Sequence, residues 1–113
     1  MRNVIKILNI DFLISGTSIT LPFSAICSIT NKRFRGEIII EYHPYEKVVE
    51  YVSVERALSA MVKEKLTVEK LAFNMFDIIK KSIHPKYLKV LVDVQKSEAH
   101  SPVRVWIEKE FRK

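Results

Sequence analysis

The chain has 113 residues, 48% hydrophobic and 28% charged, the balance of one ordinary globular domain rather than a disordered segment. Two glycines and four prolines exclude collagen-like and linker-like readings, and a single cysteine excludes a disulfide framework and any multi-thiolate metal site within one chain. Nineteen basic against thirteen acidic side chains leave a net charge of +6, which favours an anionic partner, RNA among others, or simply a basic surface.

Taken in order, the elements fit a single domain over 1–113. Residues 4–14 are apolar and β-branched and read as a strand or part of one. Lys6 and Asp11 interrupt this stretch, it lacks a signal-peptide cleavage pattern, and no run reaches the roughly 18 apolar residues of a membrane span. No membrane partner is expected, and the lone thiol suits a reducing, cytoplasmic setting. Ser15–Ser18 reads as a turn. Residues 19–30 read as a strand, with Pro22 marking a bulge or an edge. Asn31–Gly36 is a polar, basic turn, and Glu37–Tyr42 is the second strand of a hairpin. His43-Pro44-Tyr45 breaks it, and Val48–Tyr51 is extended.

Ser53 reads as the N-cap of a short helix near 53–63, on which Val54, Leu58, Met61 and Val62 keep helical spacing. Thr67 reads as the N-cap of a second helix over about 67–82, with Val68, Leu71, Ala72, Met75, Ile78 and Ile79 as its apolar stripe. His84-Pro85 stops it. Leu88, Val90, Val92 and Val94 alternate with polar residues as a half-buried strand, 95–102 turns the chain, and Val103, Val105 and Ile107 mark the last strand. The order β-β-α-α-β-β predicts an α+β domain: an antiparallel four-stranded sheet with two helices on one face. Such a small sheet has two open edges, often closed by further copies, so a homo-oligomer is expected.

Cys27 lies near the end of a strand, beside Lys32, Arg33 and Arg35. Nearby cations favour thiolate, the nucleophilic form. A lone cysteine packed as a small hydrophobe is the competing reading. Glu69, in the first turn of the second helix, is either a dipole partner or a carboxylate aimed at a ligand's N–H groups. Glu50, in an apolar stretch before the first helix, is either such a carboxylate or an outward side chain. His43, His84 and His100 have no metal-ligand spacing, so no metal is expected. The glycine-rich loops of nucleotide sites are absent. Phe34 and Tyr87, among the basic clusters at 32–35 and 80–89, offer rings for stacking on bases, with a solvated surface as the alternative.

These elements follow the order of the tunnelling fold, whose members handle purine-like or pterin-like heterocycles between subunits. Within it the stretch from Cys27 to about Tyr87 resembles the QueF family, the nitrile reductases of 7-cyano-7-deazaguanine. Cys27-Ser28-Ile29-Thr30 resembles the family's Cys-Pro-Val/Ile-Thr, and 38–44 the strand that follows. Val49-Glu50 stands where the family has Val/Leu-Glu, Thr67-Val68-Glu69 where it has Phe-His-Glu, and His84-Pro85-Lys86-Tyr87-Leu88 resembles Asp-Pro-Arg-Tyr-Leu. The resemblance implies that Cys27 attacks the nitrile carbon to form a thioimide, and that Glu50 and Glu69 accept hydrogen bonds from the heterocycle's N–H edge.

Three departures narrow this. The family's aspartate seven residues after the cysteine is Phe34, and its histidine before the ligand glutamate is Val68. Its NADPH-linked Glu-Ser/Leu-Lys-Ser/Ala-x-Lys reads Glu50-Tyr51-Val52-Ser53-Val54-Glu55, without either lysine. Bound NADPH is therefore not expected, and no other cofactor is called for. The resemblance fits better the short QueF-like amidinotransferases of archaea, which convert the nitrile in tRNA to the amidine of archaeosine. It implies the nitrile base, in tRNA or free, as substrate, ammonia as co-substrate, and a homo-oligomer with its site at the subunit interface. Glu37 or a group from a neighbouring subunit is the expected substitute for the missing acid. A non-catalytic module of the same fold, binding a deazapurine or RNA, is the alternative. A pterin- or GTP-type enzyme of this fold would need zinc, for which the histidine spacing makes no provision.

Overall fold

The computed structural model describes residues 5–112. Its main sheet has four antiparallel strands in the order β2-β3-β5-β6: β2 (Thr17–Ile26), β3 (Arg33–His43), β5 (Tyr87–Ser97) and β6 (Arg104–Glu110). The two-residue period of the strands decides which residues meet the helices. Phe23 and Ala25, then Phe34, Ile38, Ile40 and Tyr42, then Leu88, Val90, Val92 and Val94 are all buried on one face. The other face carries Glu37, Asp93 and Arg104 in one row and Thr20, Ile39, Leu91 and Trp106 in the next.

Helix α1 (Tyr51–Met61) and helix α2 (Val68–Ile83) cover the apolar face. Leu71, Ala72, Met75, Phe76, Ile79 and Ile83 of α2 are buried, the i, i+3/i+4 stripe that an amphipathic helix turns to its core. Full burial of each large apolar side chain stabilises the fold by about 1.5–3 kcal/mol. Thr67 caps α2 by accepting from the Lys70 N–H at 3.1 Å. At the other end His84 takes the left-handed conformation (φ 45°), and Pro85 bars continuation. Gly36 is obligatory: a Cβ built there would stand 1.8 Å from the Asp93 carbonyl oxygen, where β3 and β5 shift register.

The architecture is the expected one, with differences in the short elements. Of the predicted strand at 4–14, Val4 lies outside the described residues and only β1 (Ile7–Asn9) is strand. It pairs with β4 (Lys47–Val49) in a separate two-stranded sheet. The basic turn expected at 31–36 is earlier and tighter, and β3 begins at Arg33. Pro22 lies in mid-strand, tolerated because β2 is an edge. The cap of α1 is Glu50, not Ser53. Both Glu50 carboxylate oxygens accept backbone bonds, from Val52 N–H at 2.6 Å and Ser53 N–H at 3.0 Å. Ser53 is buried instead, donating its hydroxyl to the Glu50 carbonyl at 2.7 Å and accepting from Lys6 N–H at 2.9 Å. A short β1 thus docks on the first turn of α1, a long-range contact that helical periodicity does not report.

Candidate active site

Cys27 follows β2 directly, on the face that carries Ala25 and Phe23 toward the helices, and the residue is 4% exposed. Two connections fix its backbone. Its N–H donates to the Lys32 carbonyl at 2.8 Å and its carbonyl accepts from Asn31 N–H at 2.9 Å. Asn31 closes this turn with φ 64°, a conformation that asparagine tolerates better than most residues. On the other side Cys27 forms an isolated parallel bridge with Leu66: Leu66 N–H donates to the Ile26 carbonyl at 3.0 Å and Ser28 N–H to the Leu66 carbonyl at 3.3 Å. Leu66 immediately precedes the cap of α2. The bridge therefore carries the first turn of α2, with Glu69, to the thiol.

This turn tunes the sulfur. The backbone N–H of Thr30 is the main influence holding the thiol below the ordinary cysteine range, followed by the N–H of Ile29 and the Thr30 hydroxyl. Burial and the negative charge of Glu69 act in the opposite direction and are outweighed. Donors aimed at sulfur stabilise thiolate, and a turn that supplies them serves as an anion pocket. Lys32, Arg33 and Arg35, the expected source of that stabilisation, are not among its causes. The structure finds it in the peptide groups of the Cys27–Thr30 tetrapeptide, a feature that side-chain charge does not signal.

Glu69 is exposed in the first turn of α2 and, among the described residues, has no hydrogen bond or ion pair. It is also close enough to act on the Cys27 sulfur. These two residues are brought together. Glu50 is not. The buried Tyr42 hydroxyl accepts from Val49 N–H at 3.2 Å, which ties the start of α1 to the end of the sheet where Thr17 pairs with Tyr42. Cys27 lies at the opposite end of β2, ten residues or about 33 Å along the strand. Within one protomer, Glu50 and Cys27 stand at opposite ends of the domain.

The position expected to hold an acid is Phe34, fully buried and packed edge-on against Phe23 with ring centroids 5.8 Å apart. His100, from the loop between β5 and β6, lies on the same ring at 5.8 Å. Glu37 is not the expected substitute. It faces away from the helices and accepts from the Gln95 amide at 3.0 Å, so the sheet separates it from Cys27. Val68 is buried beside Leu66 and Leu71, and Val52 and Glu55, at the places of the missing lysines, are exposed on α1. Among the described residues no three His, Cys, Asp or Glu side chains cluster as metal ligands, and no helix is long and apolar enough to cross a membrane.

No protein-family model matches the chain. It is 26% identical over 97 residues to the NADPH-dependent 7-cyano-7-deazaguanine reductase of Sulfurimonas denitrificans, a match covering 84% of this chain and 75% of that protein. Its fold is that of the apo archaeosine synthase QueF-like crystal structure, with a TM-score of 0.79 at 20% identity over 90% of this chain and all of the other.

Proposed function

From a chain of tunnelling fold that is related to the QueF family, we propose an amidinotransferase that converts the nitrile of 7-cyano-7-deazaguanine in tRNA to an amidine through Cys27. The observation that carries this reading is the Cys27–Leu66 bridge, which sets the first turn of α2, with Glu69, beside a thiol whose own turn favours thiolate. The Cys27 thiolate attacks the nitrile carbon. A C–S bond forms, one C–N π pair moves to nitrogen, and that nitrogen takes a proton from solvent. Ammonia then adds to the thioimide carbon, the C–S bond breaks with its pair returning to sulfur, and the amidine leaves after proton loss. No hydride is involved, in keeping with Val52 and Glu55 where the reductases carry lysines.

Glu69 accepts from the N–H edge of the heterocycle and holds the nitrile carbon over sulfur, an orientation effect worth several kcal/mol of barrier, on the order of 7 in well-aligned cases. Glu50 is a second anchor only if another copy supplies it, since its own Cys27 is at the far end of the domain. The proposed site is accordingly shared between copies joined through the open edges of β2 and β6. Capping does not disable Glu50, because a carboxylate has about four acceptor positions and the helix uses two.

The test is turnover. Protein, nitrile-bearing tRNA and ammonium are incubated, the RNA is digested, and the nucleosides are weighed by mass spectrometry. Conversion of nitrile to amidine, abolished in Cys27→Ala, is expected; absence of amidine with folded wild-type protein contradicts the reading. The buried Phe34 at the acid position favours a second reading, a module that binds the heterocycle or RNA without turnover. Binding unchanged in Cys27→Ala, with no product from the wild type, would establish that reading instead.

A further inference from the structure

One well-formed groove lies away from Cys27. It holds about 450 Å³ and lies between the segment at 45–47, the end of α2 and the segment after β6. Four cations border it: Lys47 from β4, Lys80 and Lys81 from the last turn of α2, and Arg112. Ile83, Pro85 and Phe111 give it an apolar lining, and Glu46 is the one acidic residue among the described residues that line it. The α2 lysines have local reasons to be there, since the negative end of the helix dipole attracts them and Asp77 pairs with Lys81 at 2.9 Å and Lys80 at 3.8 Å. Lys47 and Arg112 have no such reason. Among the described residues neither has a carboxylate within salt-bridge distance, yet they come from separate elements to the same rim.

Two further cations lie against the rings of lining residues. Lys86 lies over the Tyr45 ring at 5.2 Å and Lys109 over the Phe111 ring at 5.6 Å. One phosphate would engage two or three of these groups. Four cations lining the groove, with Lys86 and Lys109 stacked on two of its lining rings, fit a chain of phosphates with a sugar or base seated between them. Lys47 on its rim begins β4, the strand that Glu50 directly follows, and the groove lies a helix length from Cys27 of the same protomer, about 24 Å for sixteen residues.

We propose that this groove binds the phosphodiester backbone of RNA, with Lys47 and Arg112 as the principal phosphate contacts. The inference rests on the amidinotransferase reading only for its choice of tRNA as the partner. In a site shared between copies, the groove of one copy would grip the strand whose base reaches Cys27 of another.

The experiment measures binding of fluorescent tRNA by anisotropy across a salt series, for wild type and for Lys47→Gln with Arg112→Gln. Each lost phosphate contact is expected to flatten the log-affinity against log-salt slope by about 0.7–0.9, so the double variant should be shallower by roughly 1.4–1.8 and bind more weakly at low salt. Covalent capture of the free nitrile heterocycle at Cys27 should be unchanged, which separates failure of this inference from failure of the catalytic reading. Lys47 is half-buried and Arg112 exposed, and equal melting temperatures verify the fold; the two single variants, each shifting the slope by about half, serve if the double variant is unstable. Unchanged slope and affinity would overturn the proposal and assign the attraction to another patch, such as Arg33, Arg35 and Lys96. Loss of binding to a nucleoside monophosphate but not to tRNA would overturn it in favour of a free-nucleotide site. A change in oligomeric mass without a change in slope would overturn it in favour of a contact between copies.

Discussion

Substituting Glu50 separates its two roles, and the structural one has a calculable size. Its carboxylate satisfies two otherwise orphaned N–H groups at the start of α1, at 2.6 and 3.0 Å. Loss of an N-terminal cap costs about 1 kcal/mol, within a range of roughly 0.5–2. An unfolding entropy of about 2.1 cal/mol/K per residue gives about 240 cal/mol/K for 113 residues, so about 1 kcal/mol lowers Tm by about 4 °C. Glu50→Ala should therefore melt about 2–8 °C below wild type by circular dichroism. Glu50→Ser keeps an oxygen at the cap but removes the carboxylate, and should recover most of the loss. If Glu50 also anchors the heterocycle from a neighbouring copy, Glu50→Ser will remain impaired in binding, as read by calorimetry with 7-cyano-7-deazaguanine. Equal melting temperatures for wild type and Glu50→Ala would refute the capping argument; full binding in a well-folded Glu50→Ser would remove the residue from the proposed site.

Other expectations follow from the same contacts. Gly36→Ala puts a Cβ against the Asp93 carbonyl, and since neither backbone can yield cheaply it should cost more than the ordinary 1–3 kcal/mol of overpacking, seen as loss of the cooperative transition. Alkylation of Cys27 by iodoacetamide should rise at a lower pH than for a free thiol, because the turn favours thiolate, and Thr30→Val should move the profile to higher pH by removing one of the three donors. An unshifted profile in Thr30→Val would show that the hydroxyl contributes nothing. Thr67→Ala should lower Tm by about 4 °C through loss of the α2 cap, with little change in the first turn's reach toward Cys27 if the Leu66 bridge holds it.

The strands and helices were legible because their signals are local. Alternation at Leu88–Val94 and the stripe from Val68 to Ile79 each follow from a face buried along one element, and His84-Pro85 stops α2 with its own backbone chemistry. Ser53 has the sequence signature of a cap, a serine before an apolar stripe, yet the residue that fills the role is a glutamate, and the serine is buried with a contact to Lys6, 47 positions away. The site divides in the same way. Cys27 and Glu69 are joined by the Leu66 bridge, whose backbone bonds have no sequence signature. The thiol's main donors are likewise peptide groups, invisible to a count of lysines and arginines. Glu37 stands three residues after the buried Phe34 on β3, and strand residues an odd number apart face opposite sides of a sheet, so it points away from the helices and from Cys27.

The central claim is that the Cys27 sulfur bonds to the nitrile carbon, and intact-protein mass spectrometry tests it without RNA or ammonia. Wild-type protein mixed with free 7-cyano-7-deazaguanine at neutral pH should gain the mass of one heterocycle per chain, the gain should vanish in Cys27→Ala, and ammonium should discharge it. A wild-type protein that stays at its unmodified mass while folded, or an adduct that persists in Cys27→Ala, contradicts the account.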